Sequence, residues 1–405
     1  MSFHNSQNPI GLENTWRWFG PNDPISLKHV RQTGATGIVT ALHHVPIGDL
    51  WTIDEISKRK RLIEAEGMHW SVAESLPVHE DIKLRTGNHR KYIDNYRQSI
   101  ANLGRCGIDT ICYNFMPVLD WSRTDLHVEF SDGSITTRFE AKAFAAFDLF
   151  QLQRHDFERD YSHEELNAAK SYYDRLTDRQ KETLKQTVLL GLPGSGDSYT
   201  LEQFSQAISN YRDVGDRGLR EHLRAFLEDI VPVAVESGVS MAIHPDDPPR
   251  PLLGLPRVVS NAHDIDQVLS VVDSPSNGLT FCTGSLGAGK DNNIVSMAER
   301  IANRIEFIHL RNVTKNAEGD FVEDNHLDGD VDMYGVMKVL VTEQQKRLNG
   351  GRKDSRMPMR PDHGHFMLAD ERFDNVYPGY SLFGRMRGLA ELRGLELGVR
   401  RSLGV

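Results

Sequence analysis

The chain has 405 residues, 39% hydrophobic and 26% charged, which is the composition of an ordinary globular protein with enough residues for a large core. Its formal net charge of −10, and the lack of a basic stripe with interleaved aromatic residues, argue against a nucleic-acid partner. No apolar run is long enough to span a bilayer and the first residues lack the regions of a secretory signal, so we expect a cytoplasmic protein without membrane contact.

Short apolar runs alternate with helical segments over the first 120 residues. Four of these runs have strand character: Thr15–Phe19, Gly37–Leu42, His69–Glu74 and Thr110–Phe115. Thr52 and Glu55 form a capping-box pattern at the start of one helix, and a second helix, from about His89 to Leu103, ends at Gly104. The alternation predicts a parallel β/α architecture, of which four units make half a barrel.

The alternation stops between residues 120 and 220. Helical patterns continue there, among them the charged segment Ser162–Thr187, without an alternating strand series. Insertions into barrels lie in the βα loops above the active-site face. We therefore predict one barrel domain over residues 1–405 with a mainly helical cap at 120–220. The Gly-Ser-Gly run at 194–196 is too short to be a dinucleotide fingerprint.

A helix with an apolar face, ending near Gly238, resumes the series. Four more strands are predicted: Val239–Ile243, Gly278–Cys282, Ile305–Leu310 and Met357–Pro361. The total of eight predicts a TIM (β/α)8 barrel, with a C-terminal helix that closes the outer ring or joins two subunits. Gly284–Lys290 has the spacing of a P-loop, but Asp291 stands where a Ser or Thr is needed, so nucleotide binding is not expected.

Four side chains of metal-ligand type stand at or near the ends of the last four strands: His244, Cys282, His309 and Asp362. Taken singly, a histidine or cysteine is more often a core or loop residue. Because the C-terminal ends of barrel strands converge, four such residues in succession predict a mononuclear metal site with mixed N, S and O ligands. Cys106 and Cys112 are too few for a disulfide framework and are expected in the core.

Groups suited to proton transfer and substrate binding surround this set. His363 and Tyr377 are candidate acid and base residues, although Asp-His-Gly-His at 362–365 could also be a simple turn. Arg311 is suited to bidentate binding of a substrate carboxylate, with an ordinary surface ion pair as an equal alternative. The remaining candidates for substrate contacts are His44, Asn114 and His365.

Seven stretches resemble the mannonate dehydratases of hexuronate breakdown, and the similarity runs from about residue 10 to the C-terminus. They are Thr15-Trp-Arg-Trp-Phe-Gly-Pro, Thr40-Ala-Leu-His-His, His244-Pro-Asp-Asp-Pro-Pro-Arg-Pro, Cys282-Thr-Gly-Ser, Ile308-His-Leu-Arg, His326-Leu-Asp-Gly-Asp-Val-Asp-Met and Arg360-Pro-Asp-His-Gly-His. The Pro-Asp-Asp-Pro-Pro and Pro-Asp-His-Gly-His motifs are long enough to be specific.

The resemblance implies a xylose-isomerase-like barrel lyase that converts D-mannonate into 2-dehydro-3-deoxy-D-gluconate and water with Mn(II) or Fe(II). By motif match, the metal ligands would be His244, Cys282, His309 and Asp362. His363 and Tyr377 would be the proton-transfer pair. The expected partners are a sugar-acid substrate and a second copy of the chain, because metabolic enzymes of this kind are commonly symmetric homo-oligomers.

Two alternatives stay open at this point. A metal-dependent sugar isomerase or epimerase shares the metal, the polyol substrates and the barrel, but such sites favour carboxylate-rich coordination, so Cys282 argues against it. A catalytically silent barrel that binds a sugar acid is the second alternative, because a fold does not dictate a function. The presence of His363 and Tyr377 beside a full ligand set argues against it.

Overall fold

The computed structural model describes residues 11–190 and 199–405, so the Gly-Ser-Gly run at 194–196 lies outside the described residues. Twelve strands occur in these ranges. They are β1 (Glu13–Arg17), β2 (Gly37–Thr40), β3 (His69–Glu74), β4 (Thr110–Tyr113), β5 (Asp125–Glu129), β6 (Ile135–Phe139), β7 (Ser240–Ile243), β8 (Asn277–Cys282), β9 (Ile305–Leu310), β10 (Asn312–Lys315), β11 (Phe321–Asp324) and β12 (Pro358–Pro361).

Fourteen α-helices occur in the same ranges. They are α1 (Leu27–Gln32), α2 (Ile53–Glu64), α3 (Glu80–Leu84), α4 (His89–Arg105), α5 (Ala141–Phe147), α6 (His163–Tyr173), α7 (Asp178–Leu190), α8 (Leu201–Ser209), α9 (Gly215–Ser237), α10 (Ala262–Val271), α11 (Thr283–Gly287), α12 (Ile294–Ile301), α13 (Met333–Asn349) and α14 (Leu382–Leu403). Across the described ranges, no helix has both the length and the hydropathy needed to cross a membrane.

Eight of the strands form a closed parallel barrel, in the order β1-β12-β9-β8-β7-β4-β3-β2. All eight predicted strands are confirmed, and His69–Glu74 and Ile305–Leu310 match residue for residue. These strands could be read from the sequence because parallel barrel strands are buried on both faces and therefore appear as continuous apolar runs.

One layer of side chains fills the middle of the barrel. Its members form a fully buried apolar cluster: Val39, Val72, Cys112, Ala242 and Phe307. Side chains alternate between the two faces of a strand, so the residue two positions later points inward again, nearer the C-terminal end. In chain order, those next residues are Ala41, Glu74, Asn114, His244 and His309. The barrel thus places a second, mostly polar layer at the mouth where its strands end.

The segment after β4 is mainly helical, as predicted, but it begins with a β-hairpin that was not predicted. Helices α5 to α8 follow as expected, but β5 and β6 precede them and join β10 and β11 in an antiparallel sheet of order β10-β11-β6-β5. Phe139 of β6 lies opposite Phe321 of β11, with their rings stacked 5.5 Å apart. This mouth sheet (β5, β6, β10 and β11) therefore ties the insertion to the loop after β9. The bounds of 120–220 stay a prediction.

Two smaller predictions are corrected. Thr52 caps α2, accepting from the Glu55 amide at 3.3 Å, but the reciprocal half of the capping box is missing because His44 and Lys58 bind the Glu55 carboxylate. Cys112 is buried as expected, whereas Cys106 is only partly buried and packs at the margin of the core.

Candidate active site

Three of the four predicted metal ligands converge at the barrel mouth. His309 lies in β9, Cys282 ends β8 directly opposite it, and His244 immediately follows β7. One ligand atom from each residue lies within 4.8 Å of those of the other two. The arrangement of two imidazoles and one thiol is a group that could hold a metal ion.

In both histidines at least one ring nitrogen is free to bind a metal ion. His309 is fully buried, and neither ring nitrogen has a hydrogen-bond partner among the described residues. A buried polar group without a partner is costly, so a ligand for one of these nitrogens is expected. In His244, Nδ1 lies 2.7 Å from the Pro245 carbonyl oxygen and must carry the proton, which leaves Nε2 free to bind a metal.

Cys282 lies at the start of α11, the helix formed by the P-loop-like segment. Its sulfur accepts hydrogen bonds from Ser285, at 3.1 Å from Oγ and 3.5 Å from the amide nitrogen. The segment that has the P-loop spacing in the sequence therefore serves to hold the thiol in place. Donors aimed at the sulfur suit the thiolate form in which cysteine binds metals.

Asp362 lies beside the three donors but outside their group. Its Oδ2 is 3.6 Å from Cys282 Sγ and its Oδ1 is 3.6 Å from His309 Nδ1. Burial raises the pKa of Asp362, but Arg360, whose Nη1 lies 2.6 Å from Oδ1, and its other charged neighbours hold that pKa well below its usual range. The carboxylate is therefore ionised, and its role as a fourth ligand stays a prediction.

Arg311 is 2% exposed, so the alternative of a surface ion pair is wrong. Its Nη1 lies 2.6 Å from Asp247 Oδ2 and its Nε lies 2.9 Å from Glu323 Oε2. A third carboxylate, that of Asp362, is 3.4 Å from Nη1. The guanidinium is thus already surrounded by anions, and its predicted contact with a substrate carboxylate stays a prediction.

Arg311 belongs to a buried ionic network of four arginines and four carboxylates. Its members are Arg17, Arg123, Arg311, Arg360, Glu74, Asp247, Glu323 and Asp362. Apart from Arg311 and Asp362, none of them was predicted as a site residue from the sequence. A sequence signal for Arg17 and Glu74 does exist, since each is a charged residue at the C-terminal end of a barrel strand.

His363 is 6% exposed and faces a carboxylate. Its Nδ1 lies 3.3 Å from Glu323 Oε1. Burial raises the pKa of Glu323, but Arg311 and Arg123 lower it to about 2, so an ionised carboxylate lies against the His363 ring. Nδ1 has no hydrogen-bond partner among the described residues, so its contact with Glu323 is electrostatic, and the Nδ1 side of the ring faces this carboxylate.

Two aromatic rings, those of Phe19 and Tyr380, connect Tyr377 with His363. Its ring centroid is 4.7 Å from that of Phe19, which lies 4.9 Å from Tyr380. Tyr380 in turn packs edge-on against His363 at 5.1 Å. The predicted proton-transfer pair is therefore held by one continuous aromatic cluster.

Two predicted substrate contacts already have polar partners within the protein. Asn114 donates from Nδ2 to Asp120 at 3.2 Å, at the half-buried end of β4. Both ring nitrogens of His365 are engaged, Nδ1 with Ser134 Oγ at 3.0 Å and Nε2 with the Glu323 carbonyl oxygen at 3.1 Å. His365 thus ties the loop after β12 to both hairpins of the mouth sheet, and direct contact of either residue with substrate stays a prediction.

The two histidines after β2 are both exposed and have different neighbours. His44 is exposed, and its Nε2 lies 2.8 Å from Glu55 Oε2 on α2. The ring of His43 lies 5.9 Å from Phe19, beside the aromatic cluster. The predicted substrate contact of His44 stays a prediction.

The model of the family described as D-mannonate dehydratase (UxuA) matches residues 12–403. The chain belongs to the mannonate dehydratase family. The mannonate dehydratase of Marinomonas sp. (strain MWYL1) is 55% identical over 394 residues, covering 97% of this chain and 100% of that protein. That of Saccharophagus degradans is 52% identical over 384 residues, covering 95% of this chain and 97% of that protein.

A solved structure agrees with this assignment. The crystal structure of the mannonate dehydratase from Streptococcus suis serotype 2 is 34% identical and covers 97% of this chain and 95% of its own, with a TM-score of 0.76. The resemblance drawn from the seven motifs is therefore confirmed. Membership of the mannonate dehydratase family also weighs against the isomerase alternative.

Proposed function

We propose that this protein dehydrates D-mannonate to 2-dehydro-3-deoxy-D-gluconate and water, a reaction of glucuronate catabolism. The family match over residues 12–403 carries this proposal. The two imidazoles and one thiol within 4.8 Å of one another support it, because the reaction needs an electrophile beside the substrate carboxylate.

The elimination requires removal of the proton on C2 and departure of the hydroxyl on C3. The proton on C2 is weakly acidic because the neighbouring carboxylate already carries charge. A divalent cation, Mn(II) or Fe(II), supplies Lewis-acid stabilisation of the charge that develops there. We propose His244, Cys282, His309 and Asp362 as its ligands, since Asp362 lies within 3.6 Å of two of the other three.

The charge balance of the buried site favours this pairing of cation and substrate. The four arginines and four carboxylates of the ionic network cancel, and a thiolate at Cys282 leaves one negative charge. A divalent cation together with a sugar-acid monoanion brings the formal total to zero. Buried charges that are matched in this way avoid the desolvation cost of an unpaired ion.

We assign the two proton transfers to His363 and Tyr377. One residue accepts the proton from C2 as the electron pair of the C–H bond forms the C2–C3 double bond. The other gives a proton to the C3 hydroxyl, a poor leaving group, so that it departs as water. The resulting enol then tautomerises to the 2-keto acid. Nδ1 of His363 faces the Glu323 carboxylate, so Nε2 is the atom proposed to reach the substrate.

The first experiment is an anaerobic assay of metal-stripped protein supplied with Mn(II) or Fe(II) and D-mannonate. We expect metal-dependent formation of the 2-keto-3-deoxy product, and its loss in Cys282→Ala because the thiolate ligand is gone. Cys106→Ala is the matched control, since that cysteine lies in the outer packing. Metal bound at one equivalent without any dehydration product would contradict the proposed reaction, and ketose formation from an aldose would favour the isomerase alternative.

Two proposals concern the whole molecule. We propose a cytoplasmic location, supported by three free cysteines, one of them in the metal-ligand set, because thiols persist in a reducing compartment. We also propose a homodimer, the commonest symmetric assembly of soluble enzymes.

A further inference from the structure

We propose that Arg17, and not Arg311, binds the carboxylate of the substrate. The inference rests on the proposed function, since it concerns how the same site holds a sugar acid. Arg17 ends β1 and is 5% exposed.

The contacts of Arg17 place it beside the predicted metal ligands. Its Nη1 donates to the carbonyl oxygen of Glu74 and lies 3.4 Å from Oε2 of the same residue. That Oε2 lies 3.7 Å from Nε2 of His309. One carboxylate oxygen therefore connects the guanidinium with a predicted metal ligand, so an anion bound near the metal would lie within reach of Arg17.

The guanidinium of Arg17 has an edge that no described residue uses. Both of its polar contacts involve Nη1, whereas Nε and Nη2 make no hydrogen bond within residues 11–190 and 199–405. Two parallel N–H groups on one edge match the two oxygens of a carboxylate. The residue thus offers the bidentate contact that the sequence analysis assigned to Arg311.

Arg311 is less suited to that role. Its charge is met by three carboxylates, those of Asp247, Glu323 and Asp362. A substrate carboxylate would have to approach three fixed carboxylates to reach it. Arg17 has one carboxylate neighbour, Glu74, which it shares with Arg360.

The aromatic contacts of Arg17 orient the site for chemistry at C2. The Cζ atom of Arg17 lies 5.0 Å from the centroid of the Phe19 ring, which also packs on Tyr377 at 4.7 Å. A carboxylate held by Arg17 therefore lies near the proposed proton-transfer tyrosine, with C2 one bond away. The guanidinium also faces the negative charge that grows on the carboxylate as the C2 proton leaves.

The test compares Arg17→Gln and Arg17→Lys with the parent metal-loaded enzyme. For D-mannonate we expect kcat/KM to fall about 10- to 100-fold in Arg17→Gln, because a charge-assisted pair is lost, and to recover in part in Arg17→Lys. For the uncharged D-mannonamide, used as a competitive inhibitor, we expect the inhibition constant to change less than about threefold, a loss that a neutral amide bond can explain. Arg356→Gln is the matched control, because that arginine binds Glu13 and Asp109 at the opposite end of the barrel.

Equal weakening of the anionic and the neutral ligand in both variants would overturn the inference and assign Arg17 a packing role. Thermal denaturation and metal content are measured alongside. If Arg17→Gln does not fold, Arg17→Lys provides the test, because lysine keeps the positive charge and loses only the planar, bidentate geometry of the guanidinium. An inactive parent enzyme would instead contradict the proposed function, and binding of D-mannonate and of the amide by calorimetry would still test Arg17.

Discussion

The chemistry of the mouth depends on which residue holds the last inward-facing position of each strand. In β9 that residue is His309, two positions after the buried Phe307, and in β3 it is Glu74, two positions after Val72. The same alternation places Arg17 two residues after the fully buried Thr15. We therefore expect a change of one side chain in this layer to affect the chemistry at the mouth more than the core beneath it.

At this scale we predict the effect of removing each proton-transfer group. His363→Gln and Tyr377→Phe should each lower kcat by about 100-fold or more, the usual contribution of general acid–base catalysis, with metal content unchanged. Steady-state kinetics and metal analysis of the same preparations check this. Tyr334→Phe, half exposed on α13, is the control for a tyrosine hydroxyl. Near-normal turnover in either variant would remove that residue from the mechanism.

The metal ligands could be predicted from the sequence and most of their ionic neighbours could not. His244, Cys282 and His309 each stand at the end of an apolar run, so their positions at strand ends can be predicted from the sequence alone. Glu323 lies in the short mixed strand Phe-Val-Glu-Asp, and nothing in the sequence indicates that it faces His363 across the mouth. Pairings of that kind depend on tertiary structure, which local pattern does not encode.

At the scale of elements, the barrel was predictable and the mouth sheet was not. Barrel strands are buried on both faces, but β5 is half buried or exposed along its length, and its sequence, Asp-Leu-His-Val-Glu, gives a weak signal. Its sheet also forms between two segments far apart in the chain, since Phe139 pairs with Phe321. Local periodicity therefore predicts the helices of the insertion but not the hairpin of β5 and β6.

The packing of α14 on the mouth depends on glycine. A Cβ on Gly384 would collide with the backbone oxygen of His365. We expect Gly384→Ala to lower stability by about 1–3 kcal/mol, the usual cost of overpacking, and to lower kcat because His363 lies in the displaced segment. Thermal denaturation and kinetics measure both effects.

Another glycine of the same helix is the matched control for this prediction. A Cβ on Gly394 would meet nothing within 4 Å. Gly394→Ala should therefore raise stability by about 0.5–1 kcal/mol, because alanine is the better helix former. A Gly384→Ala protein as stable and active as Gly394→Ala would show that α14 does not position the site.

At the scale of the whole molecule, one buried carboxyl outside the site gives folding a distinctive pH dependence. Glu306 is 4% exposed, and its nearest cation, Nη1 of Arg347, is 3.9 Å from Oε1. Burial raises the pKa of Glu306 to about 7 despite Arg347, from an ordinary value of 4.5. The folded chain therefore binds this proton more tightly than the unfolded chain does.

The sign of the effect follows from that difference. The contribution of Glu306 to stability is full below pH 4.5 and is lost as the pH rises through about 7, by up to roughly 3 kcal/mol. Glu306→Gln should therefore lose less stability than the parent protein between pH 5.5 and 8.5 in denaturant titrations. Glu299→Gln, exposed on α12, is the control. Parallel pH profiles for the parent and Glu306→Gln would refute the prediction.

The mouth sheet also bears on the order in which the molecule folds. Its pairing of β6 with β11 closes a long loop of chain, whereas β8 and β9 are neighbours in sequence. Contacts that close long loops form late, because the chain entropy is lost before the contact is gained. The strand ends that carry His244, Cys282 and His309 are thus expected to meet before β11 brings Glu323 to His363. A folding intermediate of this enzyme would then bind metal while still unable to turn over substrate.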